Sequence, residues 1–177
     1  VLQGDRMVHD YSDPGFGQFR STHEGGYGVE AGMVTNATIY NMEIYDFTGD
    51  AVCFSNTSGM EKNEEGSLVY VGGPTTVNID KCVLHHCRRQ GVSVLDCKGF
   101  NITNSEIYSI GQFSWAYEED CDNEELKTLV VKGTAPSAGI DFEPDRYTFL
   151  VENALVDNCY IHNTDNFAMV NTTIPDE

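Results

Sequence analysis

A degenerate internal repeat constrains the fold of this chain more than any other feature of its sequence. Aliphatic residues occupy the first and sixth positions of segments that begin at Ile39, Ile79, Ile102 and Val156. The third position is Asn in three of these four segments. A second aliphatic strand follows the first two segments at the same offset of 13 residues, at Val52 and Val92. Self-similar short segments of this kind are typical of a solenoid.

The segments have the composition of short β-strands. They are rich in β-branched residues, are separated by Asn, Gly and Asp, and lack helical periodicity. Similar strands occur around residues 27–30, 139–143 and 167–170. The longer intervals between repeats should contain loop insertions. The sequence therefore predicts an all-β parallel solenoid of about five to six coils. We expect these aliphatic residues to be buried in stacked columns: Val29, Val52, Val92, Ile140, Ile39, Ile79, Ile102 and Val156.

Three further stretches add to this pattern: GDRMVHDY at 4–11, THEGGYG at 22–28 and GIDFEP at 139–144. They look like segments of polysaccharide-acting β-helix proteins from bacteria and phages. Over residues 20–172 the chain resembles the right-handed parallel β-helix proteins of the pectate-lyase-like superfamily. The resemblance implies a right-handed parallel β-helix in which aligned Asn side chains bond along a turn.

The resemblance also implies a function. It suggests a glycoside hydrolase or polysaccharide lyase; the alternatives are a non-catalytic glycan-binding module, such as a phage tailspike or surface adhesin, and a structural spacer. The sequence lacks the Asn-Thr-Asp, paired Asp and His-Gly signature of polygalacturonases. It also lacks the Asp-Pro-His-Glu of alginate epimerases, which counts against those two reactions.

The domain organisation follows from the same repeat. We interpret residues 1–177 as one β-helix domain, with a partial coil at 1–22, coils at 23–172 and a tail at 173–177. The first residues resemble the end of an earlier strand, and an uncovered terminal coil would expose the edges of its strands. Additional coils, a cap or partner chains should therefore cover this terminal coil. For a phage-type member the resemblance implies a homotrimer. A secreted, cell-surface or virion location is favoured over the cytoplasm.

Charge and cysteine content limit the classes of partner. The net charge of −18 repels phosphate backbones and anionic membrane surfaces, so we predict neither nucleic acid nor membrane as a partner. The longest apolar runs fall far short of the ~20 residues that a membrane-spanning helix needs. The six cysteines are not in CxxC pairs. We favour buried free thiols over three disulfides.

Asp141 and Glu143 form the sharpest candidate catalytic pair. Strand alternation turns both outward if Ile140 and Phe142 face the core, about 6.6 Å apart along the strand. That separation lies in the range that lets two carboxyl groups flank a glycosidic bond. One of the two should then be protonated near neutral pH.

Other candidates should join this pair on one outward ribbon of stacked strands. Glu30 and His23 are further catalytic candidates, because alternation turns Glu30 outward and His23 precedes that strand. Candidates for substrate binding share charge or hydrogen-bonding capacity: Glu24, Asp50, Arg88, Arg89, Tyr27, Asp5, Arg6 and His9. Arginine could hold a sugar acid there. Each candidate also has a structural interpretation. The carboxylates could be solvated, the arginines could neutralise neighbouring acidic residues, and the N-terminal candidates could form a structural loop network.

No cofactor and no metal site are predicted from the sequence. The acidic run at residues 117–125 suggests calcium, but it lacks the spacing of an EF-hand loop and is better interpreted as solvated. Trp115 and Tyr117 could stack on sugars. Because Trp115 follows Ile102 by 13 residues, we expect it to occupy the core.

Overall fold

Short β-strands form the regular structure in the computed structural model, which describes residues 1–10, 24–55, 60–70, 72–111, 133–144 and 149–172. No helix occurs among these residues, and consequently none in this part of the chain is long and apolar enough to cross a membrane. The all-β prediction is confirmed over the described ranges.

Three parallel sheets contain most of the strands, and neighbouring strands in a sheet come from successive coils. Sheet A consists of β1 (Leu2–Gln3), β4 (Glu43–Tyr45), β9 (Val83–His85), β12 (Glu106–Tyr108) and β16 (Tyr160–His162). Sheet B consists of β2 (Val29–Ala31), β5 (Val52–Phe54), β10 (Val92–Val94), β13 (Ile140–Phe142) and β17 (Met169–Asn171). Sheet C consists of β3 (Thr38–Tyr40), β8 (Thr75–Asp80), β11 (Cys97–Thr103), β14 (Val151–Glu152) and β15 (Leu155–Asp157).

From β3 onward, the chain passes through sheets C, A and B in that order in every coil. This repeated parallel connectivity is consistent with a β-helix or solenoid. One of the predicted insertions contains an antiparallel hairpin of β6 (Met60–Lys62) and β7 (Leu68–Tyr70). Most of the insertion between β12 and β13 lies outside the described residues.

The predicted aliphatic columns are present in register. In sheet B, Val92 pairs with Val52 on one side and Ile140 on the other, and Val52 also pairs with Val29. In sheet C, Ile79, Ile102, Ile39 and Val156 align in the same way. The members with 0% exposure are Val52, Val92, Ile140, Ile79 and Ile102. The three at the outer coils are partly buried and pack against this core.

Asn residues turn the chain between sheets C and A. The turn residue has positive φ in each coil, at Asn41, Lys81, Asn104 and Asn158. Asn tolerates this left-handed backbone better than most residues do. The Asn158 amide donates to Asn104 Oδ1 at 2.7 Å, and the Asn104 amide donates to Asp80 Oδ1 at 2.7 Å. Two of the aligned Asn side chains, Asn104 and Asn158, therefore bond to each other along the turn.

The described cysteines are free thiols. Cys53, Cys82, Cys87 and Cys97 are buried, and Cys159 is half-buried. Burial raises the pKa of Cys87 to about 12, which makes this thiol unreactive at neutral pH. The prediction of free rather than disulfide-bonded cysteines is confirmed for these five residues. Cys121 lies outside the described residues.

Candidate functional site

The predicted ribbon corresponds to the outward face of sheet B. Core-facing Val92 pairs with Ile140, and the residue after each, Ser93 and Asp141, points away from the core. These outward side chains are nevertheless buried, with 0% exposure for Ser93 and 1% for Asp141. Alternation thus identifies the face on which these side chains lie, but it does not show that they are covered. The buried Gln90 side chain contacts Asp141.

Arg89 is the centre of a charged cluster at this face. Arg89 Nη1 donates to Asp50 Oδ1 at 3.2 Å, to Asp50 Oδ2 at 3.1 Å and to Ser93 Oγ at 3.3 Å. Ser93 Oγ in turn donates to Asp50 Oδ2 at 2.6 Å. The Asp50 side chain, which is 0% exposed, is therefore fixed by an arginine and a serine.

Two more carboxylates flank the same guanidinium. Glu24 Oε2 lies 3.9 Å from Arg89 Nε, and Glu143 Oε2 lies 3.6 Å from Arg89 Nη2. Their side chains are 18% and 36% exposed, so solvent reaches both. Burial opposes the charge of Arg89, but the surrounding carboxylates outweigh it and raise the pKa of Arg89 above its usual value. We call Glu24, Asp50, Arg89, Ser93 and Glu143 the Arg89 cluster.

Burial also changes the protonation of Asp50. It raises the pKa of this carboxyl to about 6, and the charge of Asp141 contributes in the same direction. Arg89 and Ser93 act in the opposite direction but do not cancel the burial. Asp50 therefore gains a proton in weakly acidic solution, unlike an exposed aspartate.

Asp141 lies beside this cluster, and only one of its two carboxylate oxygens has a hydrogen-bond partner among the described residues. Gln90 Nε2 donates to Asp141 Oδ2 at 2.8 Å. Asp141 Oδ1 and Gln90 Oε1 are also buried, and each lacks a hydrogen-bond partner among the described residues. Because Asp141 is enclosed and Glu143 is 36% exposed, a ligand at this face would contact Glu143 rather than Asp141. The catalytic role of Asp141 remains a prediction.

Glu30 and Tyr27 lie on the N-terminal side of the cluster. Glu30 is exposed, and its Oε1 accepts a hydrogen bond from Ser55 Oγ at 3.1 Å. Burial, followed by the charges of Cys53 and Asp50, raises the pKa of Tyr27 above its usual value. Tyr27 consequently remains a neutral hydrogen-bonding group beside Asp50.

The remaining candidates within the described residues are buried or paired with other groups. Arg88 is 6% exposed, which leaves little surface for a ligand. Arg6 is 0% exposed and its Nη1 donates to the His86 carbonyl at 2.5 Å, which favours the structural-network alternative over substrate binding. His9 pairs with Asp5 at 2.9 Å near the surface. His23 lies outside the described residues.

The described ranges contain no group of three or more His, Cys, Asp or Glu side chains that could hold a metal ion. The acidic run at 117–125, Trp115 and Tyr117 lie outside these ranges. The calcium alternative and the predicted place of Trp115 in the core therefore stay predictions.

A ladder of stacked aromatic rings lies on the outward face of sheet A. The sequence prediction did not identify it. Tyr45 stacks on His85 at 4.7 Å between ring centroids, His85 on Tyr108 at 4.8 Å, and Tyr108 on His162 at 5.3 Å. His85 Nε2 lies 3.3 Å from Glu43 Oε1, so a carboxylate lies at the edge of the stacked rings. The signal lies one position beyond the six-residue repeat, where every copy has Tyr or His.

Two proteins of Bacillus subtilis strain 168 are similar to this chain. The uncharacterized protein YclG is 29% identical over 140 residues, which cover 79% of this chain and 19% of YclG. The SPbeta prophage-derived uncharacterized protein YorA is 31% identical over 140 residues, which cover 79% of this chain and 20% of YorA. The chain thus matches about a fifth of the length of these curated relatives. No protein-family model and no solved structure matches it.

Proposed function

We propose that the chain is a right-handed parallel β-helix of the pectate-lyase-like kind that cleaves a polysaccharide on the outward face of sheet B. The observation that supports this is the pair of accessible carboxylates, Glu24 and Glu143, on the same guanidinium. Their contact with one Arg89 side chain brings them close together, and two carboxyl groups roughly 5 to 9.5 Å apart can flank a glycosidic bond.

The charge balance of the cluster favours hydrolysis over elimination. Asp50, Glu24 and Glu143 surround a single arginine, so Arg89 is already neutralised by the protein. A uronic acid would therefore meet net negative charge, contrary to the expectation that arginine holds a sugar acid. Elimination by a lyase needs a sugar acid whose charge is neutralised. A neutral polysaccharide fits better, with one carboxyl protonating the glycosidic oxygen and the other activating water or attacking the sugar.

Asp50 and Ser93 support this chemistry indirectly. Their hydrogen bonds hold the Arg89 side chain, and Arg89 in turn orients both accessible carboxylates. Asp50 is too deeply buried to contact a sugar. We therefore assign Asp50, Ser93 and Arg89 a positioning role.

A glycan-binding module is the second candidate function. The Arg89 cluster, in which the arginine is held by several carboxylates, could also hold a glycan without cleaving it. One relative is named as prophage-derived, which favours a phage appendage and, with it, a virion or cell-surface location. Such a protein would act as a homotrimer or with additional coils.

A polysaccharide screen separates the candidates. The purified chain is incubated with neutral and uronic-acid polysaccharides, and new reducing ends and unsaturated products are measured. We expect reducing ends from a neutral polysaccharide without absorbance from unsaturated sugars. Unsaturated products would identify a lyase, and retention on a polysaccharide gel without any product would support the binding module.

A further inference from the structure

A groove of about 470 Å³ runs along the turn between sheets C and A, across three successive coils. Its floor consists of small residues, including the buried Ser105. One wall consists of the positive-φ turn residues Lys81, Asn104 and Asn158. The opposite wall consists of the first residues of the sheet A strands: Val83, Glu106 and Tyr160.

The amide wall is rigid and retains hydrogen-bonding capacity. Asn158 and Asn104 each use one amide N–H in the ladder along the turn. A side-chain amide has two N–H groups, so each residue keeps a second donor. Lys81 Nζ donates to Tyr40 OH at 3.2 Å and has further donors available. Successive coils repeat every ~4.8 Å, which places these donors in a line.

The opposite wall supplies an aromatic ring and an acceptor. The Tyr160 residue is 64% exposed although its ring stacks on His162, with 4.2 Å between ring centroids. Glu106 Oε1 lies 3.0 Å from His162 Nε2, which leaves Oε2 available as an acceptor. The stacking and the carboxylate contact fix His162, and His162 in turn supports the Tyr160 ring.

We propose that this groove is a second glycan-binding site, separate from the Arg89 cluster, that holds a short stretch of a neutral polysaccharide along the solenoid axis. Sugar hydroxyls would bond to the amides and Glu106, and the apolar face of one sugar would stack on Tyr160. The combination of an aromatic ring with convergent polar groups is suited to a ligand that has both kinds of surface.

The charge of the chain favours a neutral occupant. Among the described residues that line the groove, Lys81 is the single basic one, and it already contacts Tyr40. The net charge of −18 would repel an anionic chain. The inference shares with the proposed function only the assumption of a neutral glycan, and it does not require cleavage.

Affinity electrophoresis in gels containing glucomannan, xylan, hydroxyethyl cellulose or glycol chitin tests the proposal, with folding checked by circular dichroism. We expect at least one polymer to retard the parent, and Tyr160→Ala to weaken that binding at least about tenfold, as expected for a central aromatic contact. Asn158→Ala should weaken binding less. Phe167→Ala is the matched control, because Phe167 is an aromatic residue that is 46% exposed but does not line the groove.

The results also separate this site from the Arg89 cluster. Glu143→Gln should leave the Tyr160-dependent retardation unchanged, and Tyr160→Ala should retain cleavage of any short soluble substrate. Binding that depends on Tyr160 without cleavage would reject the proposed hydrolase but support the groove. Failure of every polymer to retard the parent, equal retardation of parent and Tyr160→Ala, or equal weakening by Phe167→Ala would each overturn the proposal.

Discussion

The outward faces of sheets A and B are built by the same stacking of coils but present opposite chemistry. On sheet B, Asp50, Arg89 and Asp141 are largely withdrawn from water. On sheet A, the rings of Tyr45, His85, Tyr108 and His162 form a ladder with a carboxylate at its edge. Stacking of the coils brings equivalent positions close together. Charged side chains at these positions therefore need partners of opposite charge, whereas aromatic side chains stabilise one another by stacking.

This comparison predicts that the two faces differ in their sensitivity to mutation. A buried ion pair leaves an uncompensated charge when one partner is removed, which is costly. Loss of one ring from a stack removes a smaller interaction. Sheet B should therefore be the more sensitive face, and its sensitivity should depend on pH.

The largest expected effect is that of Arg89→Met. It leaves Asp50 buried without its cation and should lower the free energy of unfolding at pH 7 by about 3–5 kcal/mol, measured by urea denaturation. The loss should shrink below pH 6, where Asp50 gains a proton. Lys98→Met is the control, because the Lys98–Glu152 pair is exposed and should contribute at most about 1 kcal/mol. Equal losses in both variants would contradict the claim that Arg89 compensates a buried charge.

Asp50→Asn should change the pH dependence of stability. The folded pKa of Asp50, about 6, is above the ordinary value of 3.8, so the folded state binds this proton more tightly than the unfolded state. The titration of Asp50 therefore lowers stability as pH rises from about 4 to 6, by about 2–3 kcal/mol. The difference in unfolding free energy between parent and Asp50→Asn should follow this trend between pH 4 and 8. A pH-independent difference would contradict the burial argument.

A smaller effect of opposite sign is expected on sheet A. His86 Nδ1 lies 2.6 Å from His85 Nδ1, so this contact requires a shared proton. Burial, the charge of His85 and that of Arg6 lower the pKa of His86, while Asp46 opposes the shift. Glu43 borders His85 from the same sheet. His86 therefore favours folding above pH 6.5, and this contribution is lost as pH falls.

Unfolding of parent and His86→Gln between pH 5 and 8 measures that contribution. The parent should lose more stability than the variant below pH 6.5, the ordinary pKa of histidine. His9→Gln serves as the control, since His9 pairs with Asp5 instead of another histidine. A His86→Gln variant with the same acid sensitivity as the parent would show that the pair contributes nothing.

The sequence carries the information for the core but not for the burial of the site. Ile79 and Ile102 recur at a spacing of 23 residues, and strand pairing places them in register. Alternation likewise assigns Asp141 to the outward face. It does not show how turns fold over that face, so the burial of Asp141 beneath Gln90 was not predictable. The contact between Arg89 and Asp50 joins residues 39 positions apart and depends on the same turns.

The central claim is that the accessible carboxylates of the Arg89 cluster cleave a neutral polysaccharide. Initial rates of reducing-end release from the polysaccharide found in the screen test it most directly, in the parent, Glu143→Gln, Glu24→Gln and the exposed control Glu152→Gln. Glu143→Gln and Glu24→Gln should each reduce turnover by at least ~100-fold while remaining folded, as expected for loss of general acid or base catalysis. The rate of Glu152→Gln should equal that of the parent. Parent-like turnover in both Glu143→Gln and Glu24→Gln would contradict the account.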